Sequence, residues 1–160
     1  MKKTVQFELW KDCNNHCSFC FNKMFLCKSN NAQKIERINF VSNTIDTLDL
    51  AEVGCIGLIG GEFFDTELSD PTVEEKFNQL VEKCLILLKN NQLQQFWVAT
   101  ALMYKNLEKL YYILDMAQDM RVLDKIILCT SYDTYGRFRN DSENVWKNNM
   151  KSIKQYYPNI

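Results

Sequence analysis

The chain has 160 residues, a formal net charge of −1, 46% apolar residues and 24% charged ones. That is the composition of one soluble globular domain with a sizeable core. It carries no basic footprint for nucleic acid, and no apolar run approaches the roughly 20 residues needed to cross a bilayer. The start, Met1-Lys2-Lys3-Thr4, runs into a pattern containing Glu8 rather than a signal-peptide core, so a cytoplasmic location is expected. Seven cysteines in such a chain are expected to be ligands and buried thiols rather than disulfides.

Val5-Gln6-Phe7-Glu8-Leu9 alternates apolar and polar residues and predicts a first strand. A loop with three cysteines follows, then a polar stretch from Lys28 to Arg37, then a helix-like segment with Phe40, Val41, Ile45 and Leu48. Cys55-Ile56-Gly57-Leu58-Ile59 reads as a buried strand. Asp70 and Pro71 open a helix whose apolar stripe is Val73, Phe77, Leu80, Val81, Cys84, Leu87 and Leu88. Phe96-Trp97-Val98-Ala99 predicts a third strand, Leu107, Leu110, Leu114 and Ala117 a helix, and Lys125-Ile126-Ile127-Leu128-Cys129 a fourth strand. Asp141 or Ser142 caps a last helix with Val145, Trp146, Met150 and Ile153.

Strands alternating with helices predict an α/β fold: a parallel sheet of about four β/α units, forming a partial (β/α) TIM-like barrel. Ligands bind at the carboxyl ends of the strands in such sheets. The cysteine loop, Gly60-Gly61-Glu62 and Thr130-Ser131 each follow a strand, so one sheet edge is expected to hold the site. Tyr156-Tyr157-Pro158-Asn159-Ile160 looks like a helix exit toward a further strand. The open sheet edge is therefore expected to be covered by another copy or by C-terminal strands beyond this chain.

Cys13, Cys17 and Cys20 have the spacing C-x3-C-x2-C. Three thiols leave a metal centre one position short of closure, an arrangement for chemistry at the metal rather than for a structural staple. A zinc knuckle with His16 or Cys27 as fourth ligand is the alternative, and it leaves Gly60-Gly61-Glu62 without a role. Cys27 otherwise reads as a spare thiol and His16 as a solvated loop residue. Cys55, Cys84 and Cys129 read as small core residues; Trp97, Trp146, Tyr111 and Tyr112 read as packing.

The cysteine triplet with aromatic Phe19 before its last member, followed in order by Gly60-Gly61-Glu62, resembles the signature of the radical S-adenosylmethionine (SAM) superfamily. The resemblance implies that residues 1–160 form its core domain, C-terminally short of the usual six units. It implies a [4Fe-4S] cluster on Cys13, Cys17 and Cys20, with SAM on the remaining iron. Phe19 is then expected near adenine, Gly60 and Gly61 against the ligand, and Glu62 on the SAM amino group. Residues 131–139 are similar to a Ser-x-Asp…Arg segment of the same family, which implies Ser131 at the ribose and Arg139, with Arg137 as its competitor, at the methionine carboxylate. The implied activity is reductive cleavage of SAM and hydrogen abstraction from a peptide or small-molecule substrate. An electron donor such as flavodoxin or ferredoxin is the implied partner. Two other readings stand beside it: an activase that installs a glycyl radical on a protein, and a non-catalytic remnant domain that binds a cluster or zinc.

Overall fold

A computed structural model of the chain describes residues 2–11, 29–60, 70–100, 107–130 and 142–160. Strands and helices alternate as β1 (Lys3–Glu8), α1 (Asn31–Thr47), β2 (Val53–Ile59), α2 (Pro71–Lys89), β3 (Gln95–Thr100), α3 (Glu108–Asp119), β4 (Ile126–Thr130) and α4 (Ser142–Tyr156). A 3-10 turn, Leu123–Lys125, leads into β4. The sheet is parallel throughout, in the order β1-β2-β3-β4. No pairing joins β4 back to β1 among the described residues, so the expected β/α alternation is present as an unclosed four-stranded sheet. No described helix is long and apolar enough to cross a membrane.

The sequential order has a geometric consequence. Each crossover steps one strand in the same direction, and right-handed crossovers then stack every helix on the same face of the sheet. Side-chain packing agrees with that. Phe7, Ile56, Leu58, Phe96, Val98 and Ile126 join Ile38, Val41, Val81, Cys84, Leu85, Leu110 and Leu114 in one buried cluster. Alternate strand residues point the other way. Gln6, Gly57, Trp97 and Ile127 lie in register across the four strands, and with Cys55 they form the opposite face, outside the helix-packed cluster.

One irregularity sets the β1–β2 register. Lys3 pairs with Val53 and Thr4 with Cys55, so Gly54 is an extra residue in β2. A Cβ at Gly54 would stand 2.7 Å from Lys2 Cβ and 2.8 Å from Gln94 Oε1. The bulge therefore requires glycine.

The helices begin where short polar side chains satisfy free amides. Asp70 Oδ1 accepts from Thr72 N at 2.9 Å with Pro71 next to it, as the sequence indicates. Helix α1 starts earlier than its apolar pattern suggests, inside the polar stretch expected to precede it. Asn30 Oδ1 accepts from Gln33 N at 2.9 Å while Gln33 Oε1 accepts from Asn30 N at 3.0 Å, a reciprocal capping box. The buried stripe of α1 is Lys34, Ile38, Val41 and Ile45. Phe40, part of the expected helical pattern, lies off that stripe and is 55% exposed.

Two other expectations fail on exposure. Cys129 is exposed rather than core, because it lies on the face away from the helices in an edge strand. Tyr112 is 56% exposed, while its neighbour Tyr111 packs against Tyr157 at 6.0 Å and shares a hydrogen bond with Ser152 Oγ at 2.8 Å. Helix α4 docks through buried Ile153 and through Trp146 Nε1, which donates to Thr130 Oγ1 at 3.1 Å. Beyond it, Tyr157 is buried and its hydroxyl donates to Asp115 Oδ1 at 2.5 Å. The cap expected at Asp141 lies outside the described residues.

Candidate functional site

A parallel sheet puts all strand C-termini on one edge, here Glu8, Ile59, Thr100 and Thr130. The N-termini of α1 to α4 return from that same edge, and their free amides favour anionic groups there. The segments singled out by sequence all leave from it. Cys13, His16, Cys17, Phe19, Cys20 and Cys27 follow β1, Gly61 and Glu62 follow β2, and Ser131, Arg137 and Arg139 follow β4. These residues lie outside the described ones; Gly60 lies within them.

The described flanks define how the first two segments start. Leu9 N donates to Ile59 O at 3.0 Å, which carries the β1–β2 ladder one residue past β1. The triplet begins four residues after Leu9 in sequence, and Gly60 directly follows Ile59. Gly60 has φ 156°, a conformation that side chains with a Cβ rarely adopt. Gly60→Ala is expected to destabilise the chain by about 1–3 kcal/mol through backbone strain. A urea midpoint equal to that of the unchanged chain would refute that strain.

Cationic side chains gather where β1 ends. Arg37 Nε donates to Glu8 O at 2.9 Å and its guanidinium stacks 5.0 Å from the Phe40 ring. Lys34 is only 4% exposed and its Nζ lies 5.9 Å from the ring centre of buried Trp10. Trp10 in turn packs on Phe77 of α2 at 6.2 Å. This wedge of Trp10, Lys34 and Phe77 anchors the chain just before the cysteine segment. Sequence reading missed Lys34 and Arg37, although their spacing to Ile38 and Val41 puts them on one side of α1.

Burial raises the Cys55 thiol pKa, a hydrogen bond with Thr4 lowers it, and the charge of Cys129 on the same face raises it further. Partial desolvation raises Cys129 as well, and full burial pushes Cys84 up to about 12. All three are protonated at neutral pH and are poor thiolate nucleophiles or ligands. Among the described residues no group of three or more His, Cys, Asp or Glu is arranged to hold a metal. Searches against protein-family models, curated proteins and solved structures find no match to this chain.

Proposed function

We propose that the chain is a radical SAM protein, holding a [4Fe-4S] cluster on Cys13, Cys17 and Cys20 and SAM beside it at the C-terminal edge of the sheet. What carries this reading is the Leu9–Ile59 rung. It runs the strand that precedes the cysteine triplet beside the strand that Gly60-Gly61-Glu62 follow in sequence, so motifs some forty residues apart in sequence leave from neighbouring strand ends.

The donor set suits the group. Three thiols hold three irons of a cube and leave one open. When bound, cluster and SAM supply reductive cleavage of the sulfonium C–S bond and a 5′-deoxyadenosyl radical able to take a hydrogen atom from the substrate. The protein's own contribution is binding and orientation. Gly60, with its open backbone conformation, admits close approach of a ligand to the main chain, and Glu62 accepts from an ammonium group. Ser131 and Arg139 serve the ribose and the carboxylate, and Phe19 the adenine. An electron donor of the flavodoxin or ferredoxin class and a peptide or small-molecule substrate complete the reaction.

The test is anaerobic reconstitution with iron and sulfide, followed by dithionite and SAM. Release of 5′-deoxyadenosine and methionine is expected by mass spectrometry. A fully loaded cluster that releases neither overturns the proposal.

A further inference from the structure

Both edges of the sheet lack a strand partner among the described residues, and each lacks what the other carries. Strand β4 pairs with β3 alone. Its five residues, Ile126 to Thr130, include no charge, no proline and no break in register. Charges, prolines and bulges are the devices that keep a bare strand edge from pairing. Helix α4 reaches past this edge. Lys109 of α3 pairs with Glu74 of α2 at 3.2 Å, and Tyr112 and Met116 line a groove shared with α2. On the other flank of α3, Tyr111 and Asp115 bond to Ser152 of α4 and to Tyr157 just beyond it. Since α3 crosses from β3 to β4, α4 overhangs the far side of β4. Ile153 is fully buried, yet Trp146 and Met150 of α4 and Leu128 of β4 are only partly so. The slot beneath α4 has β4 for one wall and no described strand for the other.

The β1 edge shows the converse. Strand β1 pairs with β2 alone. Its helix α1 is tied toward α2, where Lys83 Nζ donates to Ser42 O at 2.9 Å and to Asp46 Oδ2 at 2.6 Å. No described helix covers the far flank of β1, and the helix-facing Val5, with Leu48 at the end of α1, is only partly buried. One edge therefore offers a helix without a strand, and the other a strand without a helix.

We propose that a second copy of this chain supplies both: β4 of each copy pairs in parallel with β1 of the other, beneath α4. A two-fold axis along the strands keeps all eight strands parallel and makes the two junctions identical. Eight parallel strands is also the number that closes into a barrel filled by its own side chains, with the helices outside. The alternation then runs unbroken around the ring, from β4 through α4 to β1 of the second copy. A strand from elsewhere would fill the slot under α4 and leave the β1 edge bare, whereas a second copy covers both edges. The pairing does not depend on the radical SAM reading, but it bears on that site. The segment with Cys13, Cys17 and Cys20 in one copy would start beside the strand end that precedes Ser131 and Arg139 in the other.

The experiment uses the full chain after anaerobic reconstitution with iron and sulfide, and needs no SAM. Light scattering behind size exclusion is expected to give twice the 18.9 kDa chain mass. A sample mixing 13C,15N-labelled with unlabelled chain is expected to show intermolecular nuclear Overhauser effects between β4 and β1. Cys129 is exposed on the face turned away from the helices, in register with Ala99. Cys129→Lys therefore leaves the packing of a single copy alone and puts one uncompensated charge per copy inside the closed barrel. It is expected to weaken association about a hundredfold at an unchanged far-ultraviolet circular dichroism spectrum, while Cys129→Ser stays dimeric. A monomer mass for the unchanged chain overturns the barrel. So does a dimer whose intermolecular contacts join other elements, or undiminished association in Cys129→Lys. A monomer that releases 5′-deoxyadenosine sinks the barrel alone, and a closed dimer that releases none sinks the radical reading alone.

Discussion

Replacing Cys17 with alanine is expected to abolish the broad visible absorbance of the reconstituted chain and all release of 5′-deoxyadenosine. Three thiolates are the least that holds a cube with one iron open, so the loss of one leaves two corners exchangeable and the cluster unstable. Two of the remaining cysteines cannot easily substitute. Cys84 is fully buried among α2 core residues with its thiol pKa raised to about 12, and Cys55 is buried within β2. Cys27→Ser makes the control, because a spare thiol leaves absorbance and iron content unchanged. Iron analysis with an unaltered far-ultraviolet circular dichroism spectrum separates cluster loss from unfolding. Wild-type iron content in Cys17→Ala would show that the ligands have been misassigned.

Phe96→Ala carries the largest expected effect on stability. Its ring is 0% exposed and is among the largest fully buried side chains. It sits in register between Ile56 of β2 and Ile126 of β4. Truncating such a ring removes its transfer free energy and leaves a cavity, for a loss of about 3–5 kcal/mol. Against a typical stability of about 5–15 kcal/mol, this puts a substantial fraction of the chain at risk of unfolding. Urea denaturation should show a much lower midpoint at an unchanged slope. Phe40→Ala, at an exposed ring, should stay within about 0.5 kcal/mol of the unchanged chain. Equal losses at the two positions would contradict the layering of helices on one face.

Strand positions were legible because a buried parallel strand reads as a short apolar run between glycines or polar residues, as in β2 and β3. Helix α2 was legible through Asp70, Pro71 and a regular stripe. Helix α1 was harder, since its first turns are polar and one of its four buried positions is Lys34, whose apolar stem does the packing. The cue was still present: Asn30 and Gln33 have the spacing of a capping box. Phe40 shows the opposite case, an apolar residue of the helix-like pattern that helical geometry leaves off the buried stripe. Trp97 reads as packing in the sequence, and it stands between Phe96 and Val98, which the structure buries against the helices. Which of three consecutive apolar residues faces the helices depends on register and on crossover hand, and neither is local in sequence. At the candidate site, residue types and order along the chain were readable. That the first two motifs leave from adjacent strand ends follows from the pairing of β1 with β2.

The bulge at Gly54 has a consequence for how this chain tolerates change. Upstream of it β1 and β2 count residues one way, and downstream they are offset by one. Deleting Gly54 would remove the extra residue and leave Lys3 opposite Val53 and Thr4 opposite Cys55 in a regular ladder, with Ile56 and Leu58 still facing the core. The same deletion anywhere from Cys55 to Leu58 has no spare residue to absorb it and would shift part of β2 by one position, turning those side chains to the opposite face.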